Sequence, residues 1–272
     1  MTDTVSQRAG LPCQASLKDN PMFGLAFHTC YNYYMQDDIK QLLQNYHPSQ
    51  KTVETLRSQK LIIFAGTAGA GKNAIMNGML ETGHYHDIVT STTREPRENN
   101  GVLERDGIDY HFLSTEQAVA KLRAGEYIEA ALVHKYIYGV LASEIERAAE
   151  AGKMPIVDVD VQGVHTFKSL SDNIIAVFVV PPSYEVWMQR IKSRYENEAE
   201  FNEAWPARRE SAIRELEDAL SRPYYHFLIN EDLDQAVHSA EGIAQHDDKF
   251  SQIDKSYRVW VERILHDLKS HS

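Results

Sequence analysis

The sequence predicts an α/β fold in which a three-layer, doubly wound parallel sheet carries an inserted strand-rich subdomain. Short apolar runs alternate with segments of helical periodicity, which is typical of parallel strands joined by right-handed crossover helices. One of these runs, 61–65, leads at once into a glycine-rich turn and a second helical stretch. Residues 84–140 contain mostly consecutive predicted strands instead, which is the pattern expected of an insertion.

The first predicted elements form an N-terminal extension over residues 1–59. Residues 1–36 mix polar side chains with an aromatic cluster, and we interpret them as a partly ordered arm or as a partner-binding segment. Residues 37–46 have the apolar spacing of an amphipathic helix. Ser49 can cap a second short helix that carries Val53 and Leu56.

The rest of the chain alternates between the two element types. We predict strands at 61–65, 87–93, 109–113, 127–133, 135–140, 155–160, 174–180 and 226–230. We predict helices from 74, from Ser114, and at 143–151, 184–195, 207–220 and 232–244. The segment 247–272 is expected to be a C-terminal amphipathic helix, which either docks on its own domain or makes a partner or dimer contact.

Composition and charge exclude several classes of protein. The chain has 272 residues and a net charge of −11, so a nucleic-acid-binding surface is not expected. Its two cysteines, Cys13 and Cys30, form no CxxC pair, and this favours a reducing, cytoplasmic location over a disulfide framework or a zinc site. The sequence has no signal-peptide pattern and no apolar run long enough to cross a membrane.

The turn after the first strand has the spacing Gly66-x4-Gly71-Lys72. A strand, a glycine-rich turn, a lysine and a helix together are the context of a phosphate-binding P-loop, although such a turn can also serve packing alone. Asn73 stands where a P-loop normally has the hydroxyl residue that binds Mg²⁺. Its amide oxygen can also bind Mg²⁺.

Two acids and several arginines are further candidates. Asp158 and Asp160 end a predicted strand and would share one face, where they could act beside a Mg²⁺ or arginines, or could merely cap the following turn. Arg94 and Arg97 flank a proline, and Arg190 and Arg194 are spaced to share a helix face. Each arginine alone has the simpler interpretation of a solvated surface residue. His84 and His86 are not expected to form a metal site, since no third ligand is in view.

Several further motifs occur in register over about residues 60–246. They are Thr90-Ser91-Thr92-Thr93-Arg94-Glu95-Pro96-Arg97, Gly107-Ile108-Asp109-Tyr110-His111-Phe112, Tyr127-Ile128-Glu129, Tyr138-Gly139, Val157-Asp158-Val159-Asp160-Val161-Gln162-Gly163-Val164, Pro181-Pro182-Ser183, Arg190-Ile191-Lys192-Ser193-Arg194 and Ile229-Asn230-Glu231-Asp232-Leu233-Asp234. Together these motifs resemble the guanylate kinases. The resemblance implies a P-loop kinase fold with a GMP-binding subdomain at 84–140 and a short helical lid at 194–214. It implies transfer of the γ-phosphoryl group of ATP to GMP with Mg²⁺.

The resemblance also assigns roles to residues. Lys72, Arg97, Arg194 and Arg208 would be catalytic, with Arg208 preferred over Arg209 on spacing. Asn73 and Asp160 would face the metal. The ATP side would be formed by Gly66, Thr67, Ala68, Gly69, Ala70, Gly71, Lys72, Asn73, Arg190 and Asn230. The GMP side would be formed by Thr90, Arg94, Arg97, Glu104, Tyr110, Glu129, Tyr138 and Asp158.

Departures from the family pattern leave alternatives open. Asn73 replaces the metal-binding hydroxyl, Val140 replaces a hydroxyl residue after Tyr138-Gly139, and Tyr195 replaces the glycine after Arg194. The principal hypothesis is an active guanylate kinase with GMP and ATP as its small-molecule partners. The alternatives are a GMP- or protein-binding module with weak or no catalysis, and a kinase for another nucleoside monophosphate.

Overall fold

The computed structural model describes residues 37–99, 101–246 and 251–271, so the interpretation of residues 1–36 lies outside the described part of the chain. Residues 1–45 and 46–272 are two compact units. The first unit is described only by helix α1 (37–44), which falls within the predicted 37–46.

The elements of the second unit follow in chain order. The strands are β1 (Leu61–Ala65), β2 (Tyr85–Asp87), β3 (Ser91–Thr92), β4 (Glu98–Asn99), β5 (Val102–Leu103), β6 (His111–Phe112), β7 (Tyr127–Val133), β8 (Tyr136–Leu141), β9 (Met154–Asp158), β10 (Ile174–Val180) and β11 (Tyr225–Ile229). The helices are α2 (Gln50–Arg57), α3 (Lys72–Glu81), α4 (Thr115–Ala124), α5 (Ala142–Glu150), α6 (Val161–Leu170), α7 (Tyr184–Lys192), α8 (Glu198–Ser221), α9 (Leu233–His246) and α10 (Ser251–Ser270).

Five parallel strands form the central sheet, in the order β11-β10-β1-β9-β2. Every residue of β1 and of β10 is buried, because helices cover both faces of the sheet. Leu61 and Ile63 of β1 pack into one apolar layer, which includes residues of α6, α7, α8 and α10. Ile62 and Phe64 pack into the other layer with α3 and α9. The predicted three-layer, doubly wound parallel sheet is confirmed.

A second sheet is inserted between β2 and α5, with the strand order β6-β3-β8-β7. Strands β7 and β8 form an antiparallel hairpin near the predicted positions. The predicted single strand 87–93 is wrong, because its two ends belong to different sheets. Ile88 donates the last hydrogen bond toward the main sheet, to Ile156 O, and the chain then crosses into β3. A short hairpin, β4–β5, lies in the following loop and was not expected from the sequence.

Side-chain caps begin several of the helices. Ser49 accepts a hydrogen bond from Thr52 N at the start of α2, and Ser114 and Gln117 form a reciprocal capping box at the start of α4. These two predicted helix starts are confirmed.

Helix α8 is longer than the sequence predicts. It spans 24 residues and begins at Glu198 rather than at 207, with Asn197 as its N-cap. Pro206 lies inside the helix and does not end it. Phe201 and Trp205 stack on each other at 5.4 Å between ring centroids, and this packing holds the first turns in place. Most of the predicted lid, 194–214, is therefore the first part of α8.

The C-terminal helix α10 docks on its own domain, as one of the two interpretations predicts. Val261, Ile264 and Leu268 are buried in the same apolar layer as α7, α8 and β11. Within the described residues, no helix has the length and apolar character needed to cross a membrane.

Candidate active site

The loop between β1 and α3 requires glycine for both conformation and space. Gly66, Gly69 and Gly71 have φ values of 137°, 86° and 95°, which side-chain-bearing residues rarely adopt. A Cβ on Gly66 would lie 2.3 Å from Val179 O, and one on Gly71 would lie 2.1 Å from Asn230 Nδ2. The loop is therefore closely packed against the carboxyl ends of the neighbouring strands.

Side chains from other elements hold the carbonyl groups of this loop. Trp187 Nε1 donates to Ala68 O at 2.7 Å, and Asn230 Nδ2 donates to Ala70 O at 2.9 Å. Arg190 Nη2 in turn donates to Asn230 O at 3.1 Å. These donors hold two carbonyl groups of the loop, and Ala70 N donates to Thr67 O at 3.1 Å within it. Backbone N–H groups of such a loop at a helix N-terminus suit an anionic ligand. Trp187 was not identified from the sequence, since a tryptophan in an amphipathic helix reads as an ordinary core residue.

Lys72 folds back over the loop at the beginning of α3. Its Nζ donates to Gly66 O at 2.7 Å and lies 3.8 Å from Asp158 Oδ1. The side chain of Lys72 is 15% exposed and that of Asp158 is 39% exposed. The ammonium group thus connects the loop to the end of β9.

Two buried polar atoms near the loop have no hydrogen-bond partner among the described residues. They are Thr67 Oγ1 and Arg190 Nη1. A Cβ on Gly71 would lie 4.0 Å from that Arg190 nitrogen, so the unpaired guanidinium group adjoins the loop. Buried donors without partners in a glycine-rich loop fit an anionic, oxygen-rich ligand such as a nucleotide phosphate.

Asp158 and Asp160 do not both belong to the strand, which corrects the sequence interpretation. Strand β9 ends at Asp158, and Asp160 is the N-cap of α6, accepting from Gly163 N at 2.8 Å. The helix that it begins, α6, was not among the predicted elements. Burial, with smaller contributions from the charges of Asp160 and Asp87, raises the pKa of Asp158 to about 6 against the opposing effect of Lys72.

The residues at this end of the sheet fit a magnesium ion chemically. Asn73 is exposed at the start of α3, and Asp160 uses one carboxylate oxygen in its cap and keeps the other. Amide and carboxylate oxygens are ligands that Mg²⁺ accepts. In the described part of the chain, no group of three or more His, Cys, Asp or Glu side chains could hold a metal.

Arg94 is the centre of a second cluster, in the inserted sheet. It is 6% exposed, and its Nε donates to the Tyr138 hydroxyl at 3.1 Å. Its Nη1 and Nη2 donate to the two oxygens of Glu104 at 2.7 and 3.0 Å, and Nη1 also donates to Glu95 O at 2.8 Å. The guanidinium group lies over the Tyr110 ring, 5.2 Å from its centroid. The predicted neighbours Arg94, Glu104, Tyr110 and Tyr138 are thus brought together.

The carboxylate of Glu104 is paired with Arg94 and does not point freely into solvent. Its carboxylate accepts from both terminal nitrogens of Arg94 and from the backbone N–H of Arg97 at 2.8 Å. These hydrogen bonds hold the pKa of Glu104 at about 2. Four of the five N–H groups of Arg94 are engaged within the protein. Arg97, by contrast, is exposed, and its side chain forms no hydrogen bond or ion pair with a described residue, although its charge also lowers the pKa of Glu104.

Glu129 lies on β7 and connects the inserted sheet to the P-loop end electrostatically. Burial and, to a smaller extent, the charge of Asp160 raise its pKa to about 7. Thr90 precedes β3 and accepts from His111 N through its carbonyl at 2.9 Å. Val140 is buried in the apolar core, so its side chain does not line the crevice.

The arginines of the predicted lid separate in the structure. Arg208 donates to the Tyr195 hydroxyl and lies over its ring, whereas Arg209 donates to Leu268 O and Lys269 O at 3.0 and 3.1 Å. Arg209 is therefore committed to the end of α10. Arg190 and Arg194 do not share a helix face, since α7 ends at Lys192 and Arg194 is exposed beyond it.

One acid near the P-loop was not identified from the sequence. Burial raises the pKa of Glu215 on α8, and the charge of Asp160 raises it too, while Ser211, Lys72 and Arg214 oppose the shift. An acidic residue in a highly charged helix is ordinary, so the sequence does not indicate that α8 brings Glu215 near Lys72.

Comparisons with known proteins agree with this geometry. The model of the guanylate kinase family matches residues 58–247. The chain belongs to the guanylate kinase family. The guanylate kinase of Clostridium perfringens (strain SM101) is 34% identical over 186 residues, which is 67% of this chain and 81% of that protein. The guanylate kinase of Helicobacter pylori (strain 26695) is 31% identical over 209 residues, covering 75% of this chain and 97% of that protein.

Two further relatives differ in length or in similarity. Guanylate kinase 1 of Oryza sativa subsp. japonica is 30% identical over 202 residues, and the match spans only 51% of its length. The crystal structure of guanylate kinase from Anaplasma phagocytophilum has a TM-score of 0.52 at 24% identity, covering 71% of this chain and 88% of that one. At this identity the structural likeness establishes the fold alone.

Proposed function

We propose that this chain is an active guanylate kinase, which transfers the γ-phosphoryl group of ATP to GMP and forms ADP and GDP. The observation that carries the proposal is the line of charges from the P-loop to the inserted sheet. Lys72 contacts Asp158, and the charge of Asp160 acts on both Asp158 and Glu129. We infer a donor phosphate site at the P-loop and an acceptor nucleotide site beside Glu129, which these charges bring within electrostatic reach of each other.

On the acceptor side, GMP would be held by its phosphate and by its base. Arg97 has an uncommitted guanidinium group, and Arg94 offers one remaining N–H beside the hydroxyl groups of Tyr110 and Tyr138. An ionised Glu129 can accept from N1–H and the 2-amino group of guanine together, a donor pair that adenine lacks. A carboxylate left unpaired by the wrong base would lose several kcal/mol, roughly a hundredfold or more in selectivity.

On the donor side, the loop from Gly66 to Gly71 would surround the phosphates of ATP with backbone N–H groups. Thr67 Oγ1 and Arg190 Nη1 would gain partners there. Lys72 would leave Gly66 O and follow the γ-phosphoryl group, which requires positioning and charge neutralisation rather than covalent chemistry. Asn73 and Asp160 would hold Mg²⁺, which supplies further neutralisation of phosphate charge. Arg194 and Arg208 would approach from the lid.

The deciding experiment is an assay of ATP-dependent GDP formation from GMP with the full chain. We expect turnover with Mg²⁺ or Mn²⁺, and a loss of roughly a thousandfold or more in Lys72→Ala. Lys60→Ala, which removes a lysine outside the loop, is the matched control and should retain activity. Absence of turnover with either metal would refute the proposal.

The second candidate is a guanylate-kinase-like module that binds GMP without efficient catalysis. The specific observation in its favour is the engagement of Arg94 by Glu104, which places an anion at the predicted phosphate site. Calorimetric binding of GMP together with an absence of GDP formation would support this candidate over the first.

A further inference from the structure

Glu144 is a buried acid outside the set of residues discussed above. It lies in the first turn of α5, where the chain returns from the inserted sheet, and it is only 1% exposed. A carboxylate this deeply buried is retained only when hydrogen bonds compensate for its lost hydration. Its partners therefore indicate what it is positioned to do.

Three donors from three segments converge on this carboxylate. Val89 N donates to Oε2 at 3.0 Å, His111 Nε2 contacts Oε1 at 3.0 Å, and Arg147 Nη1 donates to Oε1 at 2.6 Å. A carboxylate only accepts hydrogen bonds, so His111 donates to it in the tautomer that carries a proton on Nε2, and Arg147 Nη1 lies 3.3 Å from the same nitrogen. Arg147 belongs to the same helix, but Val89 and His111 belong to the region that forms the GMP side.

Val89 and His111, the two partners outside α5, lie next to predicted GMP-binding residues. Val89 immediately precedes Thr90 in the segment that crosses from β2 to β3 and continues to Arg94. His111 follows Tyr110 and pairs with Ser91 across β3 and β6. Glu144 thus joins the outgoing crossing segment, the β3–β6 strand pair and the helix of the main domain at one point.

We propose that Glu144 is a positioning residue for GMP, acting through Val89 and His111. It fixes the β3–β6 pair on α5, so that the phosphate-binding side chains are oriented before GMP arrives. This rests on the proposed guanylate kinase function. Preorganisation lowers the cost of ordering a site on binding, so its loss weakens GMP affinity without affecting the ATP side.

The test compares Glu144→Gln with Glu150→Gln, an exposed acid on the same helix. In Glu144→Gln the amide –NH₂ group replaces one carboxylate oxygen and faces a donor that formerly bound there. At least one of the hydrogen bonds to Val89, His111 and Arg147 is therefore lost. We expect KM for GMP to rise about tenfold, with KM for ATP and kcat within about twofold of the wild type. Glu150→Gln should leave all three constants unchanged. Thermal melting of each variant establishes that it is folded.

Variants of His111 test the hydrogen bond between His111 and Glu144 by changing its other partner. His111→Gln keeps a donor that can reach Glu144 and should retain a KM for GMP near the wild-type value, whereas His111→Leu should raise it as Glu144→Gln does. If the wild type is active but neither Glu144→Gln nor His111→Leu changes KM for GMP, the positioning role is refuted. If the wild type neither turns over GMP nor binds it in calorimetry, the proposed function itself fails instead.

Discussion

Asn73 is the residue at which this chain departs most from the P-loop pattern. Its side chain is exposed at the start of α3, and no described residue engages it. The asparagine side chain is longer than that of serine or threonine and offers an amide oxygen in place of a hydroxyl, so it would place the metal differently relative to Lys72.

Asn73→Ser is therefore expected to lower the Mg²⁺ concentration required for half-maximal GDP formation, by roughly threefold to tenfold. Asn77→Ser on the same exposed helix surface is the control. A metal titration of initial rates measures the effect, and an unchanged Mg²⁺ requirement would mean that Asn73 does not face the ion.

The proposed contact of Glu129 with guanine would make GMP binding dependent on pH. Its pKa is raised to about 7, and only the ionised form accepts both donors of guanine. We expect kcat/KM for GMP to fall as the pH drops through about 7, with Asp158 adding a further step near pH 6. In Glu129→Gln, kcat/KM for GMP should be lower at pH 8 and the step near pH 7 absent. A step that persists in this variant would assign it to another group.

The raised pKa of Glu129 also affects folding stability, which should fall with rising pH where GMP binding should improve. Glutamate in the unfolded chain titrates near 4.5, so between 4.5 and about 7 the folded state binds more protons. The stability contributed by this group is present at low pH and is lost as the pH rises through that window. Glu129→Gln should thus raise the melting temperature at pH 8 and have little effect at pH 4.5, whereas the exposed Glu126→Gln should do neither.

Among the elements, α8 and α10 determine what the adjacent lid arginines can do. Arg209 donates to two carbonyl groups at the end of α10, and Lys269 of α10 pairs with Glu217 of α8 at 2.6 Å. Helix α10 follows the region that the family model matches. It packs on the apolar surface of α8 and engages Arg209, whereas Arg208 contacts Tyr195, which supports Arg208 as the proposed lid arginine.

Single alanine substitutions should separate these roles. Arg209→Ala removes two charge-assisted hydrogen bonds, so the melting temperature should fall by several degrees while activity stays within about threefold. Arg208→Ala should leave the melting temperature nearly unchanged and reduce kcat roughly a hundredfold or more. The exposed Arg214→Ala is the control for charge. The reverse outcome would make Arg209 the catalytic arginine.

In the whole molecule, the two proposed nucleotide half-sites lie on different sheets. The P-loop belongs to the central parallel sheet, and the cluster around Arg94 belongs to the inserted sheet. Each half should therefore bind its nucleotide when the other is disabled.

Thermal shifts test this independence. At concentrations of about 100 times Kd, each nucleotide should stabilise the wild type by roughly 2.7 kcal/mol, or about 5–10 °C. Lys72→Ala should lose the shift with ATP and keep the shift with GMP, and Arg97→Ala should show the opposite pattern. Loss of both shifts in either variant would indicate one interdependent site.

The sequence by itself determined the central layers and the P-loop. The strands Leu61–Ala65 and Ile174–Val180 are continuous apolar runs because they are buried on both faces, and three glycines with positive φ admit few other residues. The helix caps Ser49 and Ser114 were also predictable, because their hydrogen bonds are made within one turn of the chain.

Only the tertiary structure decided which side chains meet. The break between β2 and β3, the capping role of Asp160, the commitment of Arg209 to α10 and the convergence on Glu144 all depend on partners distant in the chain. No local periodicity encodes such contacts, because a side chain's hydrogen-bond partner is set by packing between elements. The sequence predicts which residue types the site contains, and the tertiary structure determines which of them contact each other.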